Sequence, residues 1–114
     1  MKVYGIKNCN TVAKTLKWLD DHNVKYEFHD FKKLGVSKEK LEEWSQNAGW
    51  EPLLNKRGTT WKKLDPDTQL SINTKEDAFS LMQDKTSVIK RPVIESNNKL
   101  IIGFDEQSLR DLLG

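Results

Sequence analysis

The sequence has few of the residues that build disulfides and metal centres. Its 114 residues include one cysteine, Cys9, and two histidines, His22 and His29. A lone cysteine cannot form a disulfide within the chain, and these three residues lack the spacing of zinc ligands. The composition therefore argues against a disulfide scaffold and a structural zinc site. It favours a reducing, cytoplasmic setting, in which redox chemistry at Cys9 needs a thiol from another molecule.

Long apolar runs are also missing. No stretch approaches the ~18 consecutive apolar residues of a membrane-spanning helix, and the first residues include no apolar signal segment, so we expect neither membrane association nor export. The net charge of +2 argues neither for nor against nucleic acid. Lys62 and Lys63 beside Trp61 are better explained as a solvated face, so we expect no nucleic-acid partner. We also expect a monomer.

The first 30 residues have the pattern of a strand, a helix and a second strand. Residues 2–6 are β-prone, residues 11–22 carry apolar side chains at helical spacing, and residues 24–29 alternate between apolar and polar. Asn8 or Asn10 is predicted to cap the helix. The short joins predict a βαβ unit with parallel strands.

Several helix-start signals follow in the middle of the chain. Ser37, Asp65 and Thr74 are suitable N-cap residues ahead of helical patterns. A proline directly follows Asp65, and an aspartate stands three residues after Thr74, as in a capping box. Because these helices lie between two β parts, they predict a helical insertion, at about residues 35–86, rather than a second domain.

The last third of the chain predicts a hairpin and a helix. Residues 87–104 form the hairpin pattern with Asn97 and Asn98 at the turn, and Asp105 can cap a final helix. The chain is about the modal size of one domain, and the order of its predicted strands and helices indicates one α/β domain over residues 1–114. Its expected core is the mixed four-stranded sheet of the thioredoxin fold.

Cys9 falls between the first predicted strand and the first predicted helix. Unpaired backbone N–H groups and the helix dipole place positive charge at such a position. Both favour a thiolate, so we expect a pKa below the free value of about 8.5, and the amides of residues 8–11 can cradle an anion. The alternative is a buried structural cysteine. The polar neighbours Asn8, Asn10 and Thr11 favour the nucleophile.

Arginine is used sparingly. Only three of the 19 basic residues are arginines, and Arg57 and Arg91 both stand at junctions between predicted elements. A guanidinium makes forked contacts with oxyanions that an ammonium cannot make. On spacing alone, surface salt bridges explain the two arginines about equally well.

Several segments together resemble the arsenate-reductase-like ArsC/Spx family, most closely its YffB-type branch. They include "YGIKNCNT", "LLNKRGTTWKKLD", "IKRPV" and "LIIGF", which follow one another in the family's order from Tyr4 to Phe104. The resemblance implies a thioredoxin fold with a helical insertion and a redox nucleophile at Cys9. It implies that Arg57 and Arg91 bind an oxyanion in the same cleft, and that Pro92 follows a cis peptide bond.

The sequence departs from the family pattern at several positions. Gly5 stands where arsenate reductases carry a histidine, Val12 where they carry a serine, and Gly103 where their third arginine falls. The implied oxyanion site therefore has fewer charged and polar groups than the site of arsenate reductases. Spx regulators usually carry Cys-x-x-Cys, but in this chain Val12 stands where the second cysteine of that motif would fall.

We therefore expect a monothiol reductase with no bound cofactor. Cys9 is the expected nucleophile, and glutathione the expected co-substrate, with glutaredoxin as a further candidate partner. The expected substrate-binding residues are Asn8, Asn10, Thr11, Arg57, Arg91 and Pro92. Two alternatives stay open: arsenate reduction proper, and a non-enzymatic regulator that binds RNA polymerase as Spx does.

Overall fold

A computed structural model describes residues 1–113 of the chain. It contains β1 (Lys2–Gly5), α1 (Asn10–Asp21), β2 (Glu27–Asp30), α2 (Phe31–Leu34), α3 (Lys38–Ala48), α4 (Thr59–Lys62), α5 (Pro66–Leu70), α6 (Lys75–Asp84), β3 (Val93–Ser96), β4 (Lys99–Ile102) and α7 (Glu106–Leu113). Short 3₁₀ turns lie at Glu51–Leu53 and Thr86–Val88. The chain divides into an α/β unit, Met1–Leu34 with the chain from Arg91 onward, and a helical unit, Gly35–Lys90.

The α/β unit is built on one mixed sheet with the strand order β2-β1-β3-β4. β1 pairs with β2 in parallel, and the β1–β3 and β3–β4 pairs are antiparallel. The parallel pair confirms the predicted βαβ unit. The sheet confirms the thioredoxin-like fold class, and the helical unit interrupts that fold in sequence.

Apolar side chains from the sheet and from α1 and α7 form the core of the α/β unit. Its buried members are Val3, Trp18, Leu19, Ile94, Ile101 and Leu109. The Tyr4 hydroxyl donates a 2.9 Å hydrogen bond to Glu95 Oε1 and so links β1 to β3 through side chains. The helical spacing of α1 places Trp18 and Leu19 against the sheet, which fixes the position of the amino end of α1 relative to β1.

Three helices of the helical unit, α3, α5 and α6, begin where the sequence predicts. The Ser37 and Asp65 side chains accept hydrogen bonds from backbone N–H groups three residues later. Thr74 and Asp77 cap α6 reciprocally. The buried apolar side chains of this unit are Leu41, Trp44, Leu53, Leu54, Trp61, Ala78, Phe79, Leu81, Met82, Val88 and Ile89. The predicted insertion, residues 35–86, falls within this unit.

The predicted cap of α1 is wrong. Asn10 is already helical and Asn8 lies outside, so the N-cap is Cys9 itself. Its backbone is extended, with φ −135° and ψ 121°, and its carbonyl accepts the first helical hydrogen bond, from Ala13 N–H at 2.9 Å. Asparagine is the better N-cap by preference, but the backbone places the thiol at that position instead.

The predicted hairpin is too long at its first arm, because β3 begins at Val93 rather than near residue 87. Backbone groups before Val93 already have partners in the helical unit. Lys90 N–H donates to Leu53 O and Asn55 N–H donates to Val88 O, each at 2.7 Å. The turn at Asn97 is confirmed, with a φ of 55° that suits asparagine.

Within residues 1–113, no helix is long and apolar enough to cross a membrane.

We expect Leu19→Ala to lower the free energy of unfolding by about 2–5 kcal/mol, because the side chain is fully buried and its loss leaves a cavity. Leu34→Ala is the matched control in the same unit, since Leu34 is 68% exposed and its truncation should change stability by less than about 0.5 kcal/mol. Urea denaturation followed by circular dichroism measures both. Equal effects would contradict the assigned core.

Candidate active site

Cys9 lies at the amino end of α1, four residues after the end of β1. Its side chain is half-buried. The fully buried Thr15 donates its hydroxyl to Thr11 O at 2.8 Å and so fixes the first turn of the helix. Because the first amides of a helix have no partner within it, this turn presents N–H groups to whatever occupies the cap position. Here that group is a sulfur.

The surroundings of Cys9 favour the thiolate. Partial burial acts to raise the pKa of the Cys9 thiol, but the backbone N–H of Val12, the hydrogen bond and charge of Arg91, and the Thr11 N–H outweigh it. The pKa therefore lies below its ordinary value. The Thr11 and Val12 N–H groups face the sulfur, but the Cys9 side chain makes no cap hydrogen bond of standard geometry with them. A lowered pKa increases the fraction of reactive thiolate at neutral pH.

Arg91 and Pro92 bring the other side of the site to Cys9. The Arg91–Pro92 peptide bond is cis, as predicted. Arg91 is half-buried and Pro92 is buried. The Pro92 carbonyl accepts a 2.7 Å hydrogen bond from Gly103 N–H, and Gly103 has a φ of 86°, which favours glycine. The start of β3 is thereby tied to the end of β4.

The remaining predicted residues near Cys9 are exposed. Asn8, Asn10 and Thr11 have solvent-accessible side chains in and after the loop. The charge that lowers the Cys9 pKa comes from Arg91. The Nζ of the nearby Lys14 lies 4.7 Å from the centre of the Phe104 ring. The structure therefore brings Arg91 to the sulfur and leaves the three polar side chains open to a ligand.

Arg57 belongs to the helical unit and lines an open pocket there. The pocket, of about 530 Å³, is lined by Pro52, Leu54, Asn55, Lys56, Arg57 and Lys90. Its charged lining residues are all basic, and the Arg57 backbone N–H donates a 3.2 Å hydrogen bond to Asn55 Oδ1. Lys56 and Lys90 were not among the predicted site residues, although each is next to a predicted arginine. A cleft shared by Arg57 and Cys9 stays a prediction.

The departures at Gly5 and Val12 are physically coupled. A Cβ on Gly5 would lie 2.7 Å from Val12 Cγ2 and 3.2 Å from Val12 Cγ1. The valine side chain thus fills the space into which a side chain at position 5 would project. A histidine at position 5 does not fit beside this valine, which accounts for the two differences together.

Across residues 1–113, no group of three or more histidine, cysteine, aspartate or glutamate side chains is arranged to hold a metal ion. The chemistry available at the site is that of the Cys9 thiolate and its cationic surroundings.

The mixed sheet, with a half-buried cysteine at the head of the first helix and a cis-proline at the start of β3, defines a thioredoxin-like protein. More particularly, the chain belongs to the ArsC family, whose model matches residues 4–112. A solved structure of the YFFB protein superimposes with a TM-score of 0.93 and 39% identity, covering 99% of this chain and 98% of that one. These matches confirm the resemblance to the ArsC/Spx family and its YffB-type branch.

Further relatives include an arsenate reductase related protein and a transcriptional regulator. An arsenate reductase (ArsC) related protein from Brucella melitensis is 41% identical, with a TM-score of 0.76, and the match covers 96% of this chain and 91% of that one. An uncharacterized protein from Haemophilus influenzae is 44% identical over 92% of this chain and 91% of its own length. The global transcriptional regulator Spx of Streptococcus mutans is 28% identical over 93% and 77%, respectively.

We expect Arg91→Ala to slow alkylation of Cys9 by iodoacetamide at neutral pH about threefold to tenfold, because a hydrogen bond and a positive charge that favour the thiolate are lost. Rates measured across pH should show the half-maximal point moving to higher pH. Arg110→Ala is the matched control, since Arg110 forms an exposed ion pair with Glu106. An unchanged profile in Arg91→Ala would contradict the assigned electrostatics.

Proposed function

We propose that the protein is a monothiol, glutathione-dependent thiol–disulfide reductase of the ArsC family with Cys9 as its nucleophile. The observation that carries the proposal is the single cysteine of the chain, placed where the Val12 N–H and Arg91 lower its pKa. Lowered thiol pKa values combined with partial exposure are typical of reactive cysteines. A buried structural cysteine would need neither the charge nor the access to solvent.

The proposed reaction has three exchange steps. The Cys9 thiolate attacks one sulfur of a substrate disulfide, the sulfur–sulfur bond breaks, and the other sulfur leaves as a thiolate, so that Cys9 forms a mixed disulfide with the substrate. A glutathione thiolate then attacks the Cys9 sulfur and releases the reduced substrate, which leaves glutathione on Cys9. A second glutathione thiolate attacks the glutathione sulfur, releases the Cys9 thiolate and forms oxidised glutathione. Each turnover therefore moves two electrons from two glutathiones to the substrate.

The resolving thiol must come from outside the chain because no second cysteine exists. Glutathione is the abundant small thiol of reducing compartments, so the cycle suits the cytoplasm. The proposed enzyme acts as a monomer. Glutaredoxin is the further candidate for removing glutathione from Cys9.

Each unit, taken by itself, has basic groups that suit a carboxylate such as those of glutathione. In the α/β unit, Arg91 and the first amides of α1 favour an anion beside the sulfur. In the helical unit, Arg57, Lys56 and Lys90 line a pocket whose charged residues are all basic. We assign substrate contact to these groups and to the exposed side chains of Asn8, Asn10 and Thr11, with Pro92 beside them.

Arsenate reduction proper is the second candidate, favoured by the likeness to the Brucella melitensis protein. The positions of Gly5, Val12 and Gly103 remove polar groups that arsenate reductases carry, which weighs against it. A steady-state assay with arsenate, glutathione and glutaredoxin separates the two. Turnover of arsenate at a rate comparable to that of a glutathione mixed disulfide would favour this candidate.

A regulator that binds RNA polymerase is the third candidate, favoured by the likeness to Spx. The chain lacks the second cysteine of the Spx redox motif. Co-purification with RNA polymerase, unchanged by Cys9→Ser, would support this role.

We expect Cys9→Ser to abolish both reductase activity and formation of a glutathione adduct, because a hydroxyl does not exchange with disulfides. Mass spectrometry after incubation with oxidised glutathione measures the adduct. Asn47→Ser, a small change at an exposed position of α3 outside the assigned binding residues, is the control for folding and should retain the adduct. Residual disulfide reduction by Cys9→Ser would refute the proposed nucleophile.

We expect Arg57→Lys to weaken binding of reduced glutathione about threefold to tenfold, because the charge stays while the forked contact is lost. Titration calorimetry in the Cys9→Ser background measures binding without covalent chemistry. Lys62→Arg is the matched control, an exposed cation of the helical unit outside the pocket. An unchanged dissociation constant for Arg57→Lys would remove Arg57 from the binding site.

A further inference from the structure

Glycine is needed at position 5, the last residue of β1, because a side chain there would not fit. The backbone conformation at this position does not itself require glycine. Gly5 is not among the glycines with positive φ, so an alanine could adopt its backbone angles. However, the added Cβ would lie 2.7 Å from Val12 Cγ2, closer than real carbon contacts allow. The Phe28 ring, 3.6 Å away at Cε1, is at ordinary contact distance. Val12 is therefore the one side chain that conflicts with a residue larger than glycine here.

Val12 cannot move aside by itself. It is 1% exposed, so its methyl groups cannot turn out into solvent. A valine in a helix strongly prefers one χ1 rotamer, which leaves it little freedom to turn its methyl groups away. A side chain at position 5 must therefore displace the backbone of Val12, which is the third residue of α1.

The backbone of Val12 is also the part of the helix that meets the sulfur. Its N–H and that of Thr11 face Cys9 Sγ and favour the thiolate. The contact of β1 with the Val12 methyl groups and the approach of the Val12 amide to Cys9 thus depend on one and the same helical turn. Movement of that turn by a few tenths of an ångström changes both.

We propose that Gly5 and Val12 form a steric pair that seats the first turn of α1 against the end of β1 and holds the Val12 and Thr11 amides at the Cys9 sulfur. Gly5 is in this sense a positioning residue, which touches neither the sulfur nor the substrate. The inference rests on the proposed role of Cys9 as a thiolate nucleophile, and it explains why the site needs a residue without a side chain four positions earlier.

The test compares the pH dependence of iodoacetamide alkylation in four proteins: the unaltered chain, Gly5→Ala, Val12→Ala, and Gly5→Ala with Val12→Ala. Gly5→Ala should shift the profile to higher pH and slow alkylation at neutral pH about threefold to tenfold, as expected for a weakened hydrogen bond to a charged group. The double variant should return to the profile of the unaltered chain, since both methyl groups that meet the new Cβ are gone. Val12→Ala alone should shift the profile less than Gly5→Ala does, because it loosens the contact with β1 without forcing the turn away from it.

Leu19→Ala controls for general destabilisation, because it truncates a fully buried side chain on the same helix. It should lower the unfolding midpoint and leave the alkylation profile unchanged. A folded Gly5→Ala with an unchanged profile would overturn the inference, as would a double variant that keeps the shifted profile. If Gly5→Ala does not fold, restoration of folding and profile in the double variant still supports the pair, and failure of either overturns it.

The result for the unaltered chain separates this inference from the proposed function. A Cys9 thiol that titrates at the ordinary value of a free cysteine would defeat the proposed function itself. A low value that Gly5→Ala does not move would defeat only the steric pair.

Discussion

The attraction between the Cys9 sulfur and the positive groups around it is the interaction on which the rest of the site depends. The groups come from two places in the chain, the first turn of α1 and Arg91 at the start of β3. They converge because β1 and β3 are antiparallel neighbours, so that the loop after β1 and the residue before β3 meet at one edge of the sheet. The pairing of these two strands therefore also determines the reactivity of the thiol.

The local elements of this fold are predictable from the sequence because each has a short-range physical cause. Ser37, Asp65 and Thr74 begin helices since their side chains satisfy amides three residues away. The alternation around Phe28 and the turn at Asn97 likewise require only neighbouring residues. The cap of α1 could not be predicted in this way, because side-chain preference favours asparagine, whereas the backbone places Cys9 at the cap.

The lowered pKa of Cys9 was predictable from its position at the head of a helix, but the contribution of Arg91 to it was not. Residue spacing left Arg57 and Arg91 no better than surface ion pairs, and the family resemblance supplied their roles. The structure adds that Arg91 acts directly on the sulfur. It also adds Lys56 and Lys90, which line the same pocket as Arg57. The bridge between Leu54 and Ile89 joins the two distant segments that carry these lysines, and such long-range pairing is not evident from the sequence.

The lowered pKa of Cys9 also makes the oxidation state of the protein a determinant of its stability. Since the folded pKa is depressed, the thiolate stabilises the fold fully above the unfolded pKa, and this contribution is lost as pH falls through the folded pKa. The Cys9 sulfur of any mixed disulfide carries no charge, so it lacks this contribution at every pH. Reduction of such a disulfide restores the interaction between the thiolate and its surroundings, and this favours release of the thiolate.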